Sequence, residues 1–334
     1  MTTRALILGC AGRTLSAEEV AFFKDVQPWG FILFKRNIGT PQEVRALTRA
    51  LRDIVGRADA PVLVDQEGGR VQRMGPPHWP AYPPGRVFGR LDGSAEAVAR
   101  LGARLMAHDL SDVGINVDCA PVLDVPVAGA HDVIGDRAYG DRAETVARIG
   151  RAVAEGLMAG GVLPVMKHIP GHGRAGCDSH KGLPVVESGL AALAAQDFAP
   201  FRALSDLPMA MSAHVVYAAI DPARPATQSS RVIADVVRGA IGFDGLLMTD
   251  DLSMHALSGS FRERTEAAFA AGIDVALHCN GEIAEMIGVV EGTPELLDAS
   301  LRRAEAALAL LKPAADFDLA EARATFAAAL HQAA

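Results

Sequence analysis

Aromatic residues are scarce in this 334-residue chain, at 5%, so its core has to be built from Leu, Val, Ala and Ile. Cysteine is scarce too. Cys10, Cys119, Cys177 and Cys279 lie far apart with no Cys-x-x-Cys pair, which excludes a disulfide scaffold and suits a reducing compartment. No apolar run approaches the ~18 residues of a membrane span, so no membrane partner is expected. Leu6-Ile7-Leu8-Gly9-Cys10 imitates a lipoprotein cleavage site, but it is shorter than a signal h-region of about 7–15 apolar residues. It reads as a first strand, and a cytoplasmic location is expected. Basic charge is also lacking. The net charge is −8 and no Lys/Arg stripe is interleaved with aromatics, which argues against nucleic acid as a partner. There is no linker, repeat or low-complexity tract.

What is present is apolar sequence, half of the chain, arranged as short runs alternating with helical patterns. The runs are Ala5–Gly9, Trp29–Phe34, Pro61–Val64, Ile115–Asp118, Gly161–Met166, Pro208–Ala213, Gly245–Thr249 and Ile273–Leu277. Between them lie helical segments. One opens at Ser16 with Glu19 completing a capping box; another covers Pro41–Val55 behind Thr40, with Pro at the first position. Others span Ala95–Val113, Glu144–Ala159, Leu190–Leu204, Arg231–Ile241 and Phe261–Ala271, and the chain is helical from Glu282 with breaks near Gly292 and Pro313. Ala320–Ala334 is Ala-rich and is expected to fray. Runs apolar throughout indicate strands buried on both faces of a parallel sheet. Eight of them, with polar residues gathered at the C-terminal ends of the third to eighth, predict one (β/α)₈ barrel domain over 1–334, with a helical extension from about 294. An open doubly wound sheet is the alternative, but Gly9-Cys10-Ala11-Gly12-Arg13 does not open a helix as its phosphate loop would.

The densest polar stretch is Lys167–His180, which holds three histidines, two cations, a carboxylate and glycines with no helical or strand period. It reads as a loop site on the end of an apolar strand. Within it, Asp178 and His180 project the same way if the segment is extended. That pair suits a general acid/base, against a solvated loop as the plain reading. Asp250-Asp251 end the seventh run. Asp250 facing a pocket is a nucleophile candidate, and Asp251 would cap the following turn. His168, His172, Cys177, Asp178 and His180 offer metal donors, but at no trusted zinc spacing. Asp65–Arg73 mixes acceptors with fork-shaped donors, as a polyhydroxylated ligand requires; a surface salt-bridge cluster is the plain alternative. His214 and His278 stand at strand ends, where satisfied supporting histidines are the default. The Pro-rich loop Pro76–Pro84 is long enough to suggest a functional role.

Together, Gly30–Phe34, Asp65–Arg73, Ala120–Asp124, Lys167–His180 and Thr249–Met254 resemble the family 3 glycoside hydrolases. The specific likeness is to the short, single-domain bacterial cytosolic β-N-acetylhexosaminidases of peptidoglycan recycling. The resemblance implies Asp250 as nucleophile, His180 as proton donor and acceptor, and Asp178 as its dyad partner. It implies that Asp65, Arg73, Arg137, Lys167 and His168 hold a terminal N-acetylglucosamine through its hydroxyls. It further implies a retaining double displacement without metal or cofactor, on muropeptide fragments such as N-acetylglucosaminyl-1,6-anhydro-N-acetylmuramic acid, by a monomer. A phosphorylase using the same nucleophile and a hexosaminidase of chitin fragments are the alternatives.

Overall fold

The computed structural model describes residues 2–91, 93–179 and 182–331. Eight strands form a closed barrel: β1 (Arg4–Gly9), β2 (Pro28–Leu33), β3 (Val62–Val64), β4 (Val117–Asp118), β5 (Leu163–Ile169), β6 (Met209–Ser212), β7 (Leu246–Asp251) and β8 (Val275–His278). Each pairs in parallel with the next, and β8 closes onto β1. The (β/α)₈ expectation therefore holds. Strand alternation sorts the core into two layers. Ala5, Ile7, Leu63, Val165, Met209, Met211, Met248 and Leu277 pack inside the barrel. Their sequence neighbours Leu6, Leu8, Val62, Val64, Met166, Ala210 and Ala276 join the layer under the helices, with Phe23, Leu47, Leu51 and Ile149. Both faces are buried, which is why the runs read as continuously apolar.

Helix ends follow local chemistry. Ser16 and Thr40 cap Ala17–Val26 and Pro41–Val55, with Glu19 and Glu43 returning a hydrogen bond to each cap's backbone. The segment expected as one helix over Leu190–Leu204 is instead helical in three pieces, with a wide-turned stretch at Leu193–Asp197. Pro200 accounts for it: its ring would clash with a carbonyl one turn back, and a bulge before it relieves the clash.

The fifth strand runs three residues past its expected end. Lys167 and His168 belong to β5, not to a loop. A polar pair can stay in a buried strand here because the barrel's C-terminal end supplies charged partners. The last residues also differ from expectation. Leu319–His331 is a docked helix: Phe326 is buried against Gly102, and Arg323 Nη2 donates to Asp109 Oδ1 at 2.7 Å. The other end of the barrel is closed by Asp298–Leu308, whose Ala304 and Ala307 join the interior cluster. Buried Asp274 anchors that plug, accepting from Ser300 Oγ (2.8 Å), Arg303 Nη1 (3.0 Å), Arg238 Nη2 (2.7 Å) and the Leu247 amide (2.9 Å). Among the described residues, no helix is long and apolar enough to cross a membrane.

Candidate active site

At the C-terminal end of the strands, Asp65, Glu67, Arg73, Arg137, Lys167, His168, His172, Ser179 and Asp250 line one cavity. The sequence had scattered these positions over 186 residues. Asp65 follows β3 directly. Beyond it, Gln66–Gly68 and Val71–Gln72 form a two-stranded hairpin, so the stretch is a folded wall of the cavity and not a surface salt-bridge cluster. Gln66 holds the hairpin together: its Oε1 accepts from the amides of Arg73 and Met74, both at 3.0 Å. Gly68 has φ +93°, and an added Cβ would sit 2.2 Å from the Pro83 carbonyl oxygen. Only glycine fits there. The Pro-rich loop thus braces the hairpin from behind. It then leads into Gly85–Phe88, which packs so closely on the Arg137 backbone that a Cβ on Gly85 would meet the Arg137 oxygen at 2.2 Å.

Charge in this wall is tightly paired. Lys167 Nζ, 2% exposed, lies 2.7 Å from Asp65 Oδ1 and 2.6 Å from Glu67 Oε1. Arg73 Nη2 meets Asp65 Oδ2 at 3.0 Å. Arg137 grips Glu67 with Nε and Nη2, each at 2.8 Å. Burial by itself would raise both carboxyls. Lys167 and Arg73 outweigh it and hold Asp65 far below the usual carboxylate range. Arg137 and Lys167 likewise hold Glu67 down to about 2. Burial would also discharge Lys167, but Asp65 and Glu67 keep its ammonium charged. Arg70 of the same stretch points away and pairs with Asp132 and Asp136 on the exposed side.

A second arrangement centres on buried Asp124. Its Oδ2 lies 2.6 Å from His168 Nδ1, and its Oδ1 accepts from the amides of His168 (3.2 Å) and His172 (2.7 Å). Burial is again outweighed, chiefly by the His168 ring, and Asp124 is held at about 2. Burial pushes His172 down to about 4, so its ring is neutral. The peptide bond between Lys167 and His168 is cis.

The two aspartates ending β7 both line the cavity but differ in their hydrogen bonding. Asp250 is 8% exposed and opens on the cavity; among the described residues its carboxylate accepts only from the Asp251 amide, at 2.8 Å. Asp251 is occupied by the Ser253 amide (3.0 Å), Ser253 Oγ (2.6 Å) and the Cys279 amide (3.1 Å). His214 is a satisfied supporting histidine, bonded to Thr227 Oγ1 at 2.8 Å and the Asp251 carbonyl at 3.0 Å. His278 is half satisfied: Nε2 lies 3.1 Å from Glu285 Oε2, while among the described residues buried Nδ1 has no hydrogen-bond partner. Burial lowers the pKa of both rings.

The loop after β5 is stitched to its neighbours. Tyr217 Oη donates to the Gly171 carbonyl at 2.6 Å, Arg174 Nε meets Asp197 Oδ2 at 2.6 Å, and the Ala256 amide donates to the Ser179 carbonyl at 3.1 Å. Asp178 lies within this loop; His180, and with it the expected Asp178–His180 pairing, lies outside the described residues. Among the described residues, no group of three or more His, Cys, Asp or Glu side chains is arranged to hold a metal ion. Two participants went unassigned in sequence reasoning, Glu67 and Asp124. Both stood inside noted motifs, but their partners are 44 to 100 residues away along the chain.

Comparison with known proteins gives the same picture. Residues 6–307 match the Glycosyl hydrolase family 3 N terminal domain. A beta-hexosaminidase of Alkalilimnicola ehrlichii is 40% identical over 282 residues, covering 82% of this chain and 80% of its own. NagZ from Neisseria gonorrhoeae, solved with N-trifluoroacetyl-D-glucosamine, superposes with a TM-score of 0.85 at 31% identity, over 100% of this chain and 98% of its own. A family 3 beta-N-acetylglucosaminidase from a Paenibacillus species also reaches 0.85 at 31% identity, over 94% of this chain and 63% of its own.

Proposed function

The chain belongs to glycosyl hydrolase family 3, and from that premise we propose that it is a retaining exo-β-N-acetylglucosaminidase with Asp250 as nucleophile. The observation that carries the reading is the division between Asp250 and Asp251. Both aspartates line the cavity, but among the described residues the Asp251 carboxylate accepts three hydrogen bonds and the Asp250 carboxylate one.

In this mechanism the terminal sugar is held by Asp65, Arg73, Arg137, Lys167 and His168. Ionised Asp250 attacks the anomeric carbon as the bond to the departing oxygen breaks, giving a covalent glycosyl-enzyme. His180 gives its proton to the leaving oxygen, then takes one from the water that releases the sugar. Asp178 orients that imidazole. An imidazole with an ordinary pKa of about 6.5 can serve both steps near neutrality. The whole chain acts as one catalytic barrel, working as a cytoplasmic monomer. Its substrate is N-acetylglucosaminyl-1,6-anhydro-N-acetylmuramic acid, with or without peptide, released during peptidoglycan recycling. What supports this finer assignment is the likeness to short cytosolic hexosaminidases.

The test is hydrolysis of a chromogenic N-acetyl-β-glucosaminide by wild type and Asp250→Asn, with chelator present and phosphate varied. Wild type is expected to turn over regardless of chelator or phosphate, and the variant to lose about 10⁴-fold. Near-normal turnover by Asp250→Asn would refute the assignment. A phosphorolytic product would move it to the phosphorylase alternative. The same assay on the anhydromuramyl disaccharide and on chitobiose ranks the two natural substrate classes.

A further inference from the structure

Glu67 has no role in the reaction as described, yet it is paired with two buried cations in the cavity wall. Its side chain is 5% exposed, takes two charge-assisted hydrogen bonds from Arg137, and forms an ion pair with Lys167 Nζ at 2.6 Å. We propose that Glu67 is the positioning residue of the sugar subsite, aiming the remaining donors of Lys167 and Arg137 at the hydroxyls of the substrate. This rests on the hexosaminidase reading above.

A donor count carries the argument. An ammonium has three N–H bonds; Lys167 donates one to Asp65 at 2.7 Å and holds its Nζ 2.6 Å from Glu67 as an ion pair. A guanidinium has five; Arg137 gives two to Glu67 and one to the Val133 carbonyl (3.2 Å), leaving two. Among the described residues, Glu67 pairs with both cations. It therefore bears on the direction of the spare donors of both at once. Asp65 and Glu67 together also offset two of the three positive charges of Arg73, Arg137 and Lys167. The cluster stays net positive by one, which suits neutral hydroxyl oxygens more than a tightly bound anion. Glu67 is ionised throughout the neutral range, so the arrangement does not change with ordinary pH.

Removing the charge while keeping the shape, in Glu67→Gln, removes the ion pair with the ammonium and loosens the guanidinium. The expected result is a drop in kcat/KM of about 10- to 100-fold on a chromogenic N-acetyl-β-glucosaminide. The discriminating readout is the same comparison on 3-deoxy and 4-deoxy analogues of that glycoside. If Glu67 works by aiming donors at hydroxyls, its penalty shrinks at least about fivefold on one of them, because the contact it organises is already gone. Glu67→Asp keeps the charge but cannot reach both cations, so an intermediate loss with the same substrate dependence is expected. It carries the test if Glu67→Gln fails to fold. An equal penalty on parent and both deoxy substrates would make Glu67 a scaffold residue and overturn the inference. So would wild-type kinetics in either variant. A wild type inactive on the parent glycoside overturns the hexosaminidase reading first, and this inference with it.

Discussion

Asp124→Asn separates electrostatic support of the site from mere packing. The carboxylate is buried, receives two backbone N–H groups, and faces His168 Nδ1 at 2.6 Å. It is held at about 2, against an ordinary Asp value near ~3.9. Two units of depression correspond to about 2–3 kcal/mol of folding stability at neutral pH. A depressed carboxyl contributes in full above its unfolded value, and the contribution is lost as pH falls through its folded value. The window therefore runs from about pH 5 down to about pH 2. The amide variant keeps the shape and loses this charge-dependent share. Urea unfolding of wild type and variant at pH 7 should differ by about 2–3 kcal/mol, and at pH 3 by roughly half of that. Equal stabilities at pH 7, or a difference as large at pH 3, would refute the electrostatic account. The variant should also turn over more slowly, since the His168 ring loses the partner that fixes it.

Two further predictions concern the scaffold. Asp274→Ala leaves Arg238 and Arg303 without their shared buried carboxylate. It should cost about 3–5 kcal/mol in urea unfolding, while kcat at 25 °C stays near wild type because the plug lies at the far end of the barrel. In Gly173→Ala the new methyl would sit 2.0 Å from the Val125 carbonyl oxygen. The loop that leads to Asp178 has to shift, so activity should fall by at least about tenfold with a smaller change in melting temperature.

Much of the fold was legible because a (β/α)₈ barrel writes its strands in the plainest code, short apolar runs buried on both faces. The code failed where the barrel meets the site. Lys167 and His168 are strand residues in a polar guise, and their polarity is tolerated because Asp65, Glu67 and Asp124 converge on them from the segments that follow other strands. Ala-rich 320–334 looked unanchored because one aromatic, Phe326, does the docking against a glycine on a distant helix. Within the site, the hydrogen bonding of Asp251 in the turn could be anticipated from a strand end followed by a turn. Glu67 was hidden for a different reason: an acidic residue beside a Gly-Gly pair reads as solvated until Arg137, seventy positions later, is folded over it.

The central claim is that Asp250 forms a covalent bond to the sugar, and trapping tests it most directly. Incubation with an activated fluorinated glycoside that forms but slowly hydrolyses a glycosyl-enzyme, followed by proteolysis and mass spectrometry, should place the adduct on the peptide containing Asp250. An adduct on another residue, or a product that emerges with inverted anomeric configuration, would contradict the account.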